Sequence, residues 1–530
     1  MKRKTLITFL FYIFLTTIAF SQKKPQPVKG YSKDEEGDAK KEAASFFKSM
    51  NYMQALPIYE RLVVTDPKDV DYNYKLSLIY MYTNTSKAKA VPLMEYVVNA
   101  NSKNIPKDAT FDLARAYFFA GLFDKALETY EKYRTEKHGT VDSKLKFDLW
   151  VKWASDAKEL SAHPVDCSFE NMGKQINSNG ADYRPVISAN DSVVYFSSKR
   201  KGNSGGLTDD FGEMPSDIYF FTQNDSTRSK AKNAGVNLNS PYYEECLFVN
   251  MTGDRMLLYR EGPETSGDIN LSELKGKQWD KPVSPGKQFV TKTAETGACL
   301  SPDGLTMYFA AEAEGSKTGK DIYRCTRTES TAWGKPERLG DNINTKEDED
   351  CPYLWLDGKT LFFSSKGFNS MGGYDIFKAV MNNPAEGFGK AENIGFPLNT
   401  VYDDVGIGVN PDGKSIYLAA VRDSGYGDFD IYKVTLTQPI TPSRYVLLHG
   451  TAVNSAGAVA KGAFVSITAS STGENIFKCQ TNDANGCFDA ALPPGNYKVT
   501  LRHAKFGKAE GEVTVNPEEA VRINKVFTFN

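Results

Sequence analysis

Histidine, cysteine and long apolar runs are scarce in this 530-residue chain. Its four histidines, His138, His163, His449 and His503, have no second histidine or cysteine pair at metal-ligand spacing, so structural or solvent-facing roles are expected for each. Seven cysteines are too few for a disulfide-stapled scaffold, and an odd count leaves at least one unpaired. Cys479 and Cys487 flank a turn-like stretch, Thr481 to Gly486. A disulfide across a hairpin and two free thiols both remain open there, because register is not set by sequence. Charge of one sign is missing too: 64 Lys and Arg face 66 Asp and Glu, which gives no general electrostatic drive toward nucleic acid.

The longest apolar run, Leu6 to Phe20, is about 15 residues, short for a membrane span. With Lys2, Arg3 and Lys4 before it and Ala19 and Ser21 at its end, residues 1–21 read as a secretory signal cleaved before Gln22; an uncleaved anchor is the alternative. No cysteine follows the small residues, so a lipoprotein anchor is not indicated. The mature chain is then exported and mildly acidic, with 61 basic against 66 acidic residues.

Residues 22–36, rich in Lys, Pro and Gly, are expected to form a flexible leader. Residues 37–161 carry helical spacing. Ala43, Phe46, Tyr52, Ala55, Tyr59 and Pro67 fall at offsets 0, 3, 9, 12, 16 and 24, and Ala114, Tyr117, Phe123, Ala126 and Tyr130 repeat the first five of these 71 residues later. A weaker middle copy holds Tyr80 and Ala90, and Lys144 to Leu160 would cap the stack. This is the spacing of tetratricopeptide repeats, in which small residues let paired helices approach and aromatic residues fill between them. Three unrelated helical hairpins are the plainer alternative. A repeat stack presents a concave face suited to a peptide or protein segment.

Over residues 163–437 the period changes to that of strands. Gly173, Gly235, Gly286, Gly340 and Gly395 open five units, each followed three residues later by an apolar residue and then, except at Val290, by Asn177, Asn239, Asn344 or Asn399. Eighteen residues after each glycine comes a turn position, Asp191, Gly253, Gly304, Gly358 or Gly413, and each unit closes on Asp-Ile: Asp217-Ile218, Asp268-Ile269, Asp321-Ile322, Asp375-Ile376 and Asp430-Ile431. Four short strands per unit make a propeller blade. The last unit lacks a fourth strand that residues 165–172 can supply, which closes a ring of five blades; six blades with one degenerate is the alternative. The turn Ser301-Pro302-Asp303-Gly304, the strand Met307-Tyr308-Phe309 and Asp321-Ile322-Tyr323 resemble the TolB-like, WD40-like propeller repeat of exported bacterial proteins.

Residues 445–530 alternate in short strands broken by Gly450, Gly457, Gly462, Asp483 to Gly486 and Pro494-Gly495-Asn496, and resemble the carboxypeptidase regulatory-like domain, a transthyretin-like β-sandwich. The linker Leu436 to Arg444, with Pro439 and Pro442, would allow movement between propeller and sandwich.

Candidate chemistry is thin. Gly202-Asn203-Ser204-Gly205-Gly206 fits the literal G-x-S-x-G pattern but sits in a polar insertion, not on a strand-elbow-helix. Cys246 and Cys351 share a unit position, with Cys299 nearby on its strand, and read as small buried residues of an inner strand. The strongest constellation is an acid nine residues after every unit glycine: Asp182, Glu244, Glu295, Glu349 and Asp404. Lying just before the innermost strand, they are expected to ring one mouth of the channel, with Glu245, Asp348, Asp350 and Asp403 adding charge. A calcium ion, a Lys- or Arg-rich partner or a sugar could use such a ring. Carboxylates that accept backbone amides of their own or the adjacent blade would explain the repetition without a ligand.

The fold class is therefore multidomain, α plus all-β: tetratricopeptide helical repeats, a propeller and a β-sandwich, with no cofactor and no catalytic set. This order of modules resembles the PorE type of accessory protein of the type IX secretion and gliding apparatus. The resemblance implies a non-catalytic periplasmic scaffold, associated with the outer membrane, whose partners are envelope proteins such as a PorP/SprF-like protein. Relatives of that type usually end in an OmpA-like domain that binds peptidoglycan; this sequence stops at Asn530, so binding by that route is doubtful. The alternative function is an exported carbohydrate-binding protein or glycoside hydrolase that uses the acidic mouth of the propeller.

Overall fold

The computed structural model describes residues 28–529 apart from residues 85, 101, 138–144, 189–191, 207, 210–211, 225–226, 251–252, 264, 290–294, 313–317, 328–331, 384, 423–424, 442–444, 482–484, 517 and 519–521. The expected signal segment, His138, Asp191, Val290 and Pro442 lie outside the described residues.

Among the described residues seven α-helices come first: α1 Lys33–Lys48, α2 Tyr52–Thr65, α3 Val70–Tyr82, α4 Ala90–Asn99, α5 Ala109–Phe119, α6 Phe123–Glu136 and α7 Phe147–Ser161. Each packs on the next in chain order. Ala43, Ala55, Ala114 and Ala126 are completely buried and Tyr59 and Tyr130 nearly so, which is what close helix pairs filled by aromatic rings require. The expected leader is shorter than residues 22–36. Ser32 and Glu35 form a capping box, with Asp34, Glu35 and Glu36 in the first turn, so α1 begins at Lys33. The residues before it are tied down, since Tyr31 N–H donates to Thr65 Oγ1 at 2.7 Å and Arg61 stacks over the Tyr31 ring at 3.6 Å.

Five sheets follow. Their first strands, Asp182–Ile187, Glu244–Val249, Gly297–Leu300, Glu349–Leu354 and Ile407–Val409, converge on one central cavity. In each sheet the next strands follow outward in chain order. The last sheet takes its outer strand from the other end of the region: Cys167–Asn171 pairs antiparallel with Asp430–Leu436, Cys167 opposite Leu436 and Asn171 opposite Tyr432. Asparagine staples hold the ring. In four units the side-chain Oδ1 accepts the amide of the Asp-Ile isoleucine, and Nδ2 donates to that residue's carbonyl: Asn239 on Ile218, Asn344 on Ile322, Asn399 on Ile376 and, across the seam, Asn177 on Ile431. Gly253, Gly304, Gly358 and Gly413 all have φ between +65° and +74°; the hairpin turns need a left-handed residue there, which is why glycine recurs at that offset.

The C-terminal sandwich packs a three-stranded sheet, ordered Cys487–Leu492, Val446–Asn454, Arg522–Phe529, against a four-stranded one ordered Asn475–Gln480, Phe464–Ala469, Gly495–His503, Gly507–Val515. The cysteine pair does not face itself across a hairpin. Cys479 lies in the four-stranded sheet opposite Val465, Cys487 in the three-stranded sheet opposite Thr451, and both are free thiols. The two strands that carry them belong to different sheets. The linker into the sandwich is also pinned where movement was expected: Ile440 N–H donates to Gly413 O at 2.8 Å, Tyr445 N–H to Pro411 O at 3.0 Å, and the Tyr445 ring meets Trp355 edge-on at 5.1 Å. No helix among the described residues is long and apolar enough to cross a membrane.

Candidate functional site

The five repeated acids are buried, none more than 1% exposed. Four of them fold back on the loop that leads to their strand: Asp182, Glu244, Glu349 and Asp404 accept the backbone N–H of Ser178, Ser240, Thr345 and Thr400 respectively, at 2.5 to 2.8 Å. The hydroxyls of Ser240, Thr345 and Thr400 add a second bond to the same carboxylates. Glu295 instead hydrogen-bonds to Asp268. Burial raises Glu244 and Glu349 to about 7 despite these donors, and pushes Asp404 well up, with Asp375 adding to it. Asp182 is further paired with Arg200 at 2.7 Å. The sequence held a signal for this arrangement that the acids alone did not give: a serine or threonine stands five residues after every unit glycine, at Ser178, Ser240, Thr291, Thr345 and Thr400.

The residues just past the acids meet in the channel. Bulges in three inner strands, between Tyr183 and Val186, Cys246 and Phe248, and Asp350 and Tyr353, interrupt pairing there, and bulges commonly re-aim side chains near strand ends. Arg184 and Cys351, at φ 51° and 50°, occupy the left-handed region where Gly406 stands in the last unit, a conformation that costs about 1–3 kcal/mol for a non-glycine residue. Arg184 pairs with Glu245 at 3.0 Å, and Asp350 accepts from Lys320 at 2.6 Å and from Thr296 at 2.8 Å. Tyr183 donates to Glu245 at 2.7 Å. Burial alone would raise Asp350, but Lys320 and Arg184 bring it down to about 2. Of the acids expected to flank the mouth, Glu245 and Asp350 belong to this network. Asp348 holds Lys366 at 2.9 Å and Asp403 accepts the Tyr374 amide at 2.9 Å.

Beneath the network the channel narrows to a cavity of about 30 Å³ lined by Arg184, Cys246, Ala298, Cys351, Tyr353 and Ile407, room for about one water molecule. Cys246 and Cys351 share that cavity, and burial pushes both thiols up, Cys351 to about 12. Cys299 is fully buried on its strand. No group of three His, Cys, Asp or Glu among the described residues fits a metal ion. Ser204 gives its hydroxyl to Asp217 at 2.9 Å, a loop-holding bond. His449 pairs with Asp489 at 2.8 Å and His503 contacts Lys461 O at 3.1 Å, both within the sandwich. A larger cleft, about 530 Å³, separates the propeller turns at Asp254 and Pro302 from Phe464, Phe477 and Arg502 of the sandwich.

The helical array sits on the mouth side of the last two units. Asn84 donates to Asp428 at 2.5 Å, Lys146 pairs with Glu347 at 3.0 Å, Trp153 Nε1 donates to Lys366 O at 3.2 Å, and Lys152 reaches Phe368 O. Met371 is buried within the helices' own core, with Phe396 and Val401 against it. Gly372 permits this contact, since a Cβ there would lie 2.6 Å from Phe118. Lys87 is shut into the junction, its ammonium 4.7 Å from the Phe119 ring and 5.4 Å from Tyr402. Burial lowers it to about 8, with Asp403 and Asp428 opposing.

Residues 448–528 match the family described as the carboxypeptidase regulatory-like domain. Among curated proteins none matches the chain. Among solved structures it is similar to TolB from Acinetobacter baumannii, at 14% identity over 62% of this chain and 65% of that one, TM-score 0.30. It is also similar to a putative TolB from Agrobacterium tumefaciens, at 12% identity over 62% of this chain and 97% of that one, TM-score 0.30. A glycosyl hydrolase from Bacteroides ovatus is similar at 12% identity over 50% of this chain and 86% of that one, TM-score 0.31.

Proposed function

We propose that the chain is a non-catalytic scaffold of the periplasm, associated with the outer membrane, that holds protein partners of a type IX secretion or gliding machine. In this reading α1 to α7 are tetratricopeptide repeats, the five sheets are the blades of a five-bladed propeller, and the sandwich spaces and orients the rest. A PorP/SprF-like membrane protein is the expected partner. One observation carries the reading: the repeated acids are buried and hydrogen-bonded, four of them to their own loops. A glycosidase needs two carboxyls facing an open site, about 5–9.5 Å apart, and the cavity where the channel narrows has space for about one water.

The test is affinity capture from the native cell envelope with the tagged full chain, beside a chain carrying Tyr52→Ala and Tyr82→Ala at the stacked ring pair of α2 and α3. Recovery of secretion-machine proteins that falls with the double variant supports the scaffold. Retention of glycan that disappears with Glu244→Gln and Glu349→Gln, and no protein partner, overturns it in favour of carbohydrate binding.

A further inference from the structure

One arginine of the helical array is only half used. Arg115 of α5 has a side chain 11% exposed and is walled by aromatic rings: its guanidinium carbon lies 4.7 Å from Trp150, 5.3 Å from Tyr82 and 5.9 Å from Phe111. Nη1 donates to Asp112 Oδ1 at 3.1 Å and makes a long 3.5 Å contact to the Tyr82 hydroxyl. The other edge is idle. Nε is buried without an acceptor, and Nη2 has none among the described residues. Asp112 does not fully answer Arg115, because its second oxygen accepts from Tyr74 at 2.7 Å. The Nε and Nη2 hydrogens point the same way and form the fork that grips a carboxylate through two parallel bonds.

The surroundings fit such a guest. Tyr82 is 48% exposed and is stacked on Tyr52 at 5.1 Å, so it forms a partly exposed rim over Arg115. Phe119 continues the wall, 5.8 Å from Trp150 and under the Lys87 ammonium. The Lys87 ammonium also lies near enough to oppose Arg115, though Asp403 and Asp428 act on it more strongly.

We propose that Arg115 anchors an extended segment of a protein partner: an Asp or Glu side chain enters past Tyr82 and is held by Nε and Nη2, while an adjacent apolar side chain lies on Tyr82 and Trp150. This rests on the scaffold reading in requiring a protein partner and names the chemistry of its recognition. The probe is an array of capped, amidated decapeptides, each with one glutamate flanked by aromatic or aliphatic residues at varied offsets and each paired with its glutamine twin. Probed with the full chain, the best pairs are retained about tenfold better as glutamate, the size of one charge-assisted pair. Arg115→Lys, which keeps a charge beside Asp112 but lacks the fork, abolishes the preference. Tyr82→Ala, an exposed change that leaves the core alone, weakens the peptides with aromatic neighbours.

Equal retention of the twins, or a preference that survives Arg115→Lys, overturns the assignment. So does retention of glutamine twins synthesised with a free C-terminal carboxylate, added to the array as controls, that equals or exceeds that of the amidated glutamate peptides, which would mean a terminal group is recognised. If the twins do not separate while envelope proteins are still captured by both wild-type and Arg115→Lys chains, this site falls and the scaffold stands. If the wild-type chain captures none, the scaffold itself falls.

Discussion

Four asparagines each replace a missing strand partner with one side chain, and their removal has a calculable effect. Asn344→Ala leaves the Ile322 amide buried without an acceptor, a cost of about 1–3 kcal/mol; Asn177→Ala does the same to Ile431 at the seam. Urea unfolding of the two variants is expected to show losses in that range with an unchanged slope. The buried acids set a pH dependence. Glu244 and Glu349, raised from 4.5 to about 7, and Asp375, raised from 3.8 to about 8, all chiefly by burial, hold a proton more tightly folded than unfolded. Their contribution is complete below about pH 4 and is lost as pH rises through 7 to 8. Asp350, held at about 2, acts oppositely: its contribution is present above its ordinary value of 3.8 and is lost as pH falls toward 2. Stability measured by denaturant titration is therefore expected to peak on the acid side of neutrality and to be lower at pH 8.5 than at pH 5.5. Glu349→Gln, which cannot ionise, is expected to flatten the alkaline decline.

At the scale of elements, the ring depends on a strand that arrives from outside it. Phe169 of that strand meets Tyr432 at 6.1 Å and is covered by Arg422 at 3.4 Å. Phe169→Ala is expected to cost about 1–3 kcal/mol, less than a fully buried phenylalanine, and to speed amide exchange in Asp430–Leu436 before the other sheets. The units were legible in the sequence because each repeated residue answers a local backbone demand: glycine a left-handed turn, asparagine an unpaired amide, the acid a loop. The capping box of Ser32 and Glu35, which the reading of residues 22–36 as a leader passed over, sets the start of α1. What was not legible depends on how distant elements meet. The offset of Glu244 or Glu349 from its glycine left two readings open, a ligand ring and a carboxylate held by backbone amides of its own or the adjacent blade, and the loops of Ser240 and Thr345 close over the acids as in the second. Cys479 and Cys487 flank a turn whether that turn joins one sheet or two. Arg184 and Lys320 come from different units and find Glu245 and Asp350 only when the ring closes.

For the whole molecule, the helices and propeller share apolar surface. Met371 is 1% exposed only because α5 and its neighbours cover it, and Phe396 and Val401 pack there too. A chain lacking residues 37–161 is accordingly expected to self-associate, seen as concentration-dependent elution in size-exclusion chromatography; if it elutes as a monomer at every concentration, this docking does little. The sandwich stays with the propeller through Trp355 and Tyr445. The seam also settles how the assembly answers a pull. Cys167 and Leu436 are opposite one another where the chain enters and leaves the ring, and Asp166 accepts from the Thr437 amide at 3.1 Å just beyond them. Tension between helices and sandwich that frees their docking contacts therefore loads that pair of strands at one end, across the ladder. Its hydrogen bonds part in succession, as in a zipper, and the ring opens like a clasp at a force far below that needed to shear the other sheets.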